Sequence, residues 1–311
     1  MTDKTNKNPL LCDPVEGVCG IPDSAGSAKI KVQKNARPVK VIYFTDPICS
    51  TCWGIEPQLR KLKLEYGSGI EIEYRMGGLL SDWSYNSGGI SKPSDVAHHW
   101  DEVSAHYDMP IDGDVWLDDP LPSSYPPSIA FKAAQLQGED IAILFLREIR
   151  EMVFLQKKNI TKWEHLEAAA NKVGLNAAQL KMDFEGKAKV LFEEDLKLAR
   201  QYGVRGFPTM FFLDNQGSKE ILYGLKPYAF YEIAVLKLYP SAPKNEYNKN
   251  WETLFAKYNS LTAKEFSELS GMPRNESEKH LNELSDKNIL EKWTTKNGAI
   301  WKLSRAGNKG K

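Results

Sequence analysis

Val39-Lys-Val-Ile-Tyr-Phe44, followed at once by Asp46-Pro-Ile-Cys49-Ser-Thr-Cys52-Trp53, is the stretch on which the fold turns. Its first half is an apolar, β-rich run that reads as a buried strand. Its second half sets two cysteines three positions apart where a helix opens. A thiol at that position meets unpaired backbone N–H groups and the positive end of the helix dipole, which favour thiolate over thiol. The second thiol lies one turn further in, where it can attack a mixed disulfide and release the partner. Zinc sites use the same spacing. The strand–turn–helix context favours redox chemistry over zinc.

Working outward, the chain has 311 residues, enough for one large domain and a small one. With 41% hydrophobic and 26% charged residues it has the composition of a globular protein. Basic and acidic residues balance at 41 each, so no global charge points to nucleic acid or to an anionic membrane. No apolar run is long enough to span a bilayer. The stretch Met1 to Leu11 lacks the apolar core of a secretory signal, so the expected compartment is the cytoplasm, where structural disulfides are rare. All four cysteines fall between Cys12 and Cys52, a clustering that favours catalysis, sensing or metal binding over stapling.

Residues 1–36 are polar and read as a flexible arm holding Cys12-Asp-Pro-Val-Glu-Gly-Val-Cys19. After the dithiol, a helix is expected from Trp53 to Tyr66 and a second strand over Ile70-Glu-Ile-Glu-Tyr74. Residues 90–200 carry apolar positions at helical spacing, and Leu180 to Tyr202 continues that pattern. Strand character returns at Thr209–Leu213 and Lys219–Tyr223 around the turn Asp214-Asn-Gln-Gly217, a hairpin signal. A helix from Tyr228 to Leu238 closes this part, and the proline-bearing stretch 241–250 reads as a linker. Residues 251–311 read as helices, a turn and a hairpin, with a capping box at Thr262-Ala-Lys-Glu265, which suggests a winged-helix-like unit.

Pro57, five residues after Cys52, interrupts the dithiol helix. The thioredoxin superfamily carries a proline at this offset. Gly203-Val-Arg-Gly-Phe-Pro208-Thr209 resembles the cis-proline loop of that superfamily. The resemblance implies a cis bond before Pro208, and a Phe207 backbone edge able to pair with an extended substrate chain beside the reactive sulfur. With its helical insertion, residues 37–240 resemble the DsbA branch. Asp46-Pro-Ile-Cys-Ser-Thr-Cys-Trp53 with Glu56-Pro57, Asp112-Gly-Asp-Val-Trp116, Ala130-Phe-Lys-Ala-Ala-Gln-Leu-Gln-Gly138 and Gln156-Lys-Lys-Asn-Ile-Thr161 are similar to the YjbH/SpxH family over residues 38–240. That resemblance implies a cytoplasmic adaptor that presents the transcription factor Spx to the ClpXP protease. The chain departs from the family in an arm with Cys12 and Cys19 but no histidine. The Ser50-Thr51 dipeptide offers no histidine or lysine to a thiolate, leaving only the helix terminus and backbone donors. The couple is therefore expected to be less oxidising than the periplasmic extreme of about −120 mV.

The expected fold is thus α/β: a thioredoxin-like domain with a DsbA-like helical insertion at about 90–200, plus a small C-terminal winged-helix-like domain. Cys49 is the expected nucleophile, Cys52 the resolving thiol and Pro208 the cis-proline, with Trp53, Phe207 and Thr209 along the substrate groove. Trp53 reads equally as core. For Cys12 and Cys19 three readings stay open: a second redox pair exchanging with Cys49–Cys52, zinc ligands, or inert thiols. His98, His99 and His106 read as a solvated helix face, and no metal site is assigned. The first functional reading is a thiol–disulfide oxidoreductase acting on protein substrates through mixed disulfides, without a cofactor. The alternative is a redox-sensitive adaptor with ClpX or another protein as partner. Nucleic acid is disfavoured, because the helix over 276–287 is acidic, although Lys292, Lys296, Lys302, Arg305, Lys309 and Lys311 make the hairpin and tail basic.

Overall fold

In the computed structural model, which describes residues 37–85 and 90–304 and the main chain of 12–13 and 18–20, the chain opens on two short strands, β1 (Cys12–Asp13) and β2 (Val18–Gly20). The rest of the arm expected over 1–36, and Arg305, Lys309 and Lys311 of the basic tail, lie outside the described residues.

The apolar run becomes β3 (Val39–Thr45), buried almost along its whole length because sheet and helices cover both faces. β4 (Ile70–Met76) pairs with it in parallel, Val39 opposite Ile70. The crossover between them holds α1 (Ser50–Gly54) and α2 (Glu56–Tyr66), where the sequence suggested one helix from Trp53. The break falls at Ile55, because Pro57 has no N–H to continue the ladder.

The insertion is all helical: α3 (Pro93–Tyr107), α4 (Val115–Asp118), α5 (Tyr125–Gln135), α6 (Glu139–Leu155), α7 (Trp163–Val173), α8 (Ala177–Glu185) and α9 (Lys187–Gln201). The helical pattern over Leu180 to Tyr202 forms the end of α8 and α9, with Gly186 between them. β5 (Gly206–Phe207) leads into β6 (Thr209–Asp214), which turns through Gly217 at φ 93° into β7 (Lys219–Tyr223). Positive φ at that turn suits glycine. The main sheet runs β4-β3-β6-β7, and α10 (Tyr228–Leu238) packs on β6 and β7.

The C-terminal unit holds α11 (Trp251–Lys257), β8 (Ser260–Thr262), α12 (Ala263–Ser270), α13 (Arg274–Asp286), β9 (Leu290–Thr295) and β10 (Gly298–Leu303). Its sheet order is β8-β10-β9, and its own core gathers Leu254, Phe255, Leu261, Phe266, Leu281 and Trp301. Thr262 and Glu265 form the capping box: the Glu265 N–H donates to Thr262 Oγ1 at 3.1 Å and the Thr262 N–H to Glu265 Oε2 at 2.8 Å. The segment over 241–250, read as a linker, is strapped down. Lys244 pairs with Glu65 and Glu232 at 3.0 and 2.6 Å, and the Asn245 N–H donates to the Glu65 carbonyl at 2.7 Å. Among the described residues no helix is long and apolar enough to cross a membrane.

Candidate dithiol site

Two loops meet at the C-terminal end of β3. One leaves β3 and reaches Cys49, the N-cap of α1, whose Sγ accepts the Cys52 N–H at 3.1 Å. The other is the 206–209 loop, held there because Thr209 registers with Phe44 of β3. The Phe207–Pro208 bond is cis. The Thr209 hydroxyl donates to the Gly206 carbonyl at 2.7 Å, and the Gly224 N–H donates to the Pro208 carbonyl at 2.9 Å, so the loop is tied on both sides. No disulfide links Cys49 and Cys52, and both are completely buried.

Of the side chains expected along a groove, none is placed to touch a partner. Trp53 is fully buried, stacks on Phe154 at 5.5 Å between ring centroids, and donates its Nε1–H to the Pro110 carbonyl at 3.1 Å. It is core, because an indole next to a buried strand gains more from packing than from water. Thr209 is buried and spends its hydroxyl on the loop itself. The Phe207 ring is buried against Gly77, where an added Cβ would stand 1.7 Å from Phe207 Cζ. What remains of Phe207 as an interaction edge is its main chain, and that edge is paired antiparallel with β2, Cys19 opposite Phe207 and Gly20 opposite Gly206.

Sequence reasoning missed a buried cation. It left the dithiol only the helix terminus and backbone donors, yet Arg150 of α6 is completely buried behind the site. Its Nη2–H donates to Thr45 Oγ1 at 2.6 Å and to the Asp46 carbonyl at 3.2 Å, and Nη1 pairs with Glu56 Oε1 at 2.8 Å. Nothing nearby in sequence signals it, since Arg150 lies 105 residues from Thr45. Burial pushes the Asp46 carboxyl up to about 6, against hydrogen bonds from the Leu79 and Ile48 amides and the Ser124 hydroxyl. Glu56 is also buried, but Arg150, Arg60 and Arg147 hold it below the usual carboxylate range.

These charges reach the sulfurs. Burial, with the neighbouring Cys52, pushes the Cys49 thiol well up. Cys52 is equally buried, yet the hydrogen bond from Cys49, the Arg150 charge and the Thr45 hydroxyl hold it below the ordinary thiol range. Burial opposes a charge on Cys49, while the Cys49 hydrogen bond and the Arg150 guanidinium favour one on Cys52. Desolvation thus works against the helix terminus at Cys49 while the sulfur stays buried.

The histidines divide. His98 is exposed beside Glu102 at 3.1 Å, as a solvated face requires. His99 is instead buried, and burial lowers its pKa. Trp83, from the loop after β4, donates its Nε1–H to the Leu121 carbonyl at 2.9 Å and meets Trp116 edge-on, which places it in the wall of the insertion.

The C-terminal unit docks on this domain through buried charge. Arg147 pairs with Glu265 at 2.9 Å and Glu151 at 2.8 Å, Lys302 with Glu151 at 2.7 Å, and the Arg60 Nη1–H donates to the Ser260 carbonyl at 2.8 Å. The basic hairpin is part of that contact. Lys296 pairs with Asp101 and Asp114 at 2.5 and 2.7 Å, and Asn297 donates to Asp101 and to the Ile111 carbonyl at 2.7 and 2.8 Å. Lys296 and Lys302 thus face carboxylates of this chain, which speaks against the hairpin as a phosphate-binding surface.

A thioredoxin family model matches residues 43–233. The ClpXP adapter protein SpxH of Halalkalibacterium halodurans is 34% identical over 96% of this chain and 98% of its own. The protein of the same name from Shouchella clausii is 32% identical over 94% and 96%. The cytosolic disulfide reductase DsbM from Pseudomonas aeruginosa shares the fold, with a TM-score of 0.52 and 21% identity over 62% of this chain and 97% of that one. The chain has a DsbA-like thioredoxin fold and belongs to the family of the SpxH proteins.

Proposed function

We propose that this protein is an adaptor that presents a protein substrate to the ClpXP protease in the cytoplasm. What carries the reading is the extent of the similarity. The Halalkalibacterium halodurans SpxH protein matches 96% of this chain, C-terminal unit included, whereas DsbM, nearly complete over its own length, covers 62%. The winged-helix-like unit of 251–311 is the part of this chain that would recruit the partner. The hairpin of that unit spends charge on the first domain, which supports docking of proteins rather than DNA. The alternative of the sequence reading is thus better supported than its first reading. The experiment is degradation of a candidate substrate by purified ClpXP with and without this protein, beside co-purification with ClpX. Unchanged degradation across candidate substrates and no ClpX retained would end this reading.

A second reading, thiol–disulfide exchange at the same site, is favoured by the dithiol meeting a cis-proline loop over a buried arginine. Here Cys49 attacks a protein disulfide, one thiol of the partner leaves, and Cys52 then displaces the partner from Cys49 with formation of Cys49–Cys52. Pro208 and the Phe207 main chain orient the partner strand, and no cofactor takes part. Exchange with a protein disulfide no faster than in Cys49→Ser would exclude it.

A further inference from the structure

The edge of Phe207 that a partner strand would use is occupied by this chain's own arm. β2 adds antiparallel to β5 with Cys19 at the register position of Phe207, directly before the cis-proline. The same strand lies beside α1, whose N-cap is Cys49. β1 pairs with β2 in turn, Cys12 opposite Cys19. Opposed residues of an antiparallel pair have Cα atoms about 4.5–5.5 Å apart. A disulfide needs about 4.4–6.8 Å. The backbone register therefore brings one cysteine to the docking edge and seats the other where it can bridge to the first.

We infer that Cys12 and Cys19 are a second dithiol of this site, delivered to Cys49 by β2 as an internal substrate strand, and that the two pairs exchange a disulfide within one chain. This rests on the reading of Cys49–Cys52 as a redox dithiol, not on delivery to a protease. Starting from the Cys49–Cys52 disulfide, the Cys19 thiolate attacks Cys49 Sγ. The Cys49–Cys52 bond breaks, and Cys52 leaves as a thiolate that takes up the proton given by Cys19. The Cys12 thiolate then attacks Cys19 Sγ, and Cys49 leaves and takes up the proton of Cys12. The product is a Cys12–Cys19 disulfide and a Cys49/Cys52 dithiol. Two electrons pass from arm to site, and no outside oxidant enters. A partner strand competes with β2 for the same edge.

The test uses the full chain carrying Cys12→Ser and Cys52→Ser, equilibrated in glutathione redox buffer and read by peptide mapping under acid quench. A thiol held on a paired strand has an effective concentration of about 1 mM or more, so at about 0.1 mM glutathione the Cys19–Cys49 bridge is expected to exceed Cys49–glutathione by roughly tenfold. The bridge is expected to vanish in guanidinium. A matched chain with Cys19→Ser added serves as control. If Cys49 takes glutathione equally in both chains, the inference falls while the redox reading of Cys49 stands. If Cys49 stays a thiol in both, the inference and that reading fall together.

Discussion

Arg147 Nη1 stands 2.9 Å from Glu265 Oε1, an ion pair that ties α6 of the dithiol domain to the first turn of α12. The same guanidinium lies 4.2 Å from the centroid of the Trp53 ring, next to Cys52 in sequence. One side chain thus touches both the dithiol helix and the C-terminal unit. Glu265 is fully buried and also faces Arg60 at 3.3 Å.

Glu265→Ala is expected to leave two buried guanidiniums without their shared carboxylate and to break the capping box of α12. Loss of one partner from a buried pair costs about 3–5 kcal/mol. Urea denaturation measures this, and limited proteolysis is expected to cut within 241–250 as the C-terminal unit loosens. A change under about 1 kcal/mol would contradict a buried network of this kind.

Acid should weaken the same interface. Burial acts to raise the Glu151 pKa, but Arg147 and Lys302 with the Ser260 hydroxyl hold it down to about 2. Its folded pKa lies below the ordinary 4.5, so its contribution is complete above about 4.5 and is lost as pH falls from there towards 2. The loss is on the order of 3 kcal/mol. Glu151→Gln should flatten the acid limb of the stability–pH profile.

Asp46 works with the opposite sign. Its folded pKa of about 6 exceeds the ordinary 3.8, so ionisation costs more in the folded chain. Stability should fall as pH rises from about 4 through 6 and level off above it. Asp46→Asn is expected to remove that slope, as thermal unfolding at several pH values can check.

Arg150→Met removes the buried cation behind the sulfurs. The pH midpoint for alkylation of the pair, measured on a chain with Cys12→Ser and Cys19→Ser, is expected to rise by about 1–3 units. Circular dichroism checks that the variant folds. An unmoved midpoint would assign the low Cys52 pKa to hydrogen bonds alone.

Gly77→Ala places a methyl inside the Phe207 ring, 1.7 Å from Cζ. Overpacking of this kind costs about 1–3 kcal/mol. Phe207→Ala on the same chain should recover part of the loss, and a double-mutant cycle reads the coupling. Additive effects would show that the ring moves aside freely.

Much of this was legible locally. The strand at Val39, the hairpin around Gly217, the capping box at Thr262 and the dithiol at a helix start all depend on residues within a few positions of one another. The disturbance at Pro57 was legible too, since proline lacks a donor wherever it sits, but the split into two helices at Ile55 was not. The groove residues were not. Trp53, which read equally as core, and Thr209 were expected along the groove, and whether a side chain beside an active loop points outward depends on what packs over it.

The order of elements, the dithiol and the proline before β6 follow from local periodicity and backbone chemistry, which act within a few residues. The protonation of the two sulfurs, the use of the hairpin lysines and the occupant of the Phe207 edge do not. They rest on Arg150 lying 105 residues from Thr45, Lys302 lying 151 from Glu151, and Cys19 registering with Phe207. Charge and desolvation act through space, and only the folded chain brings those groups within reach.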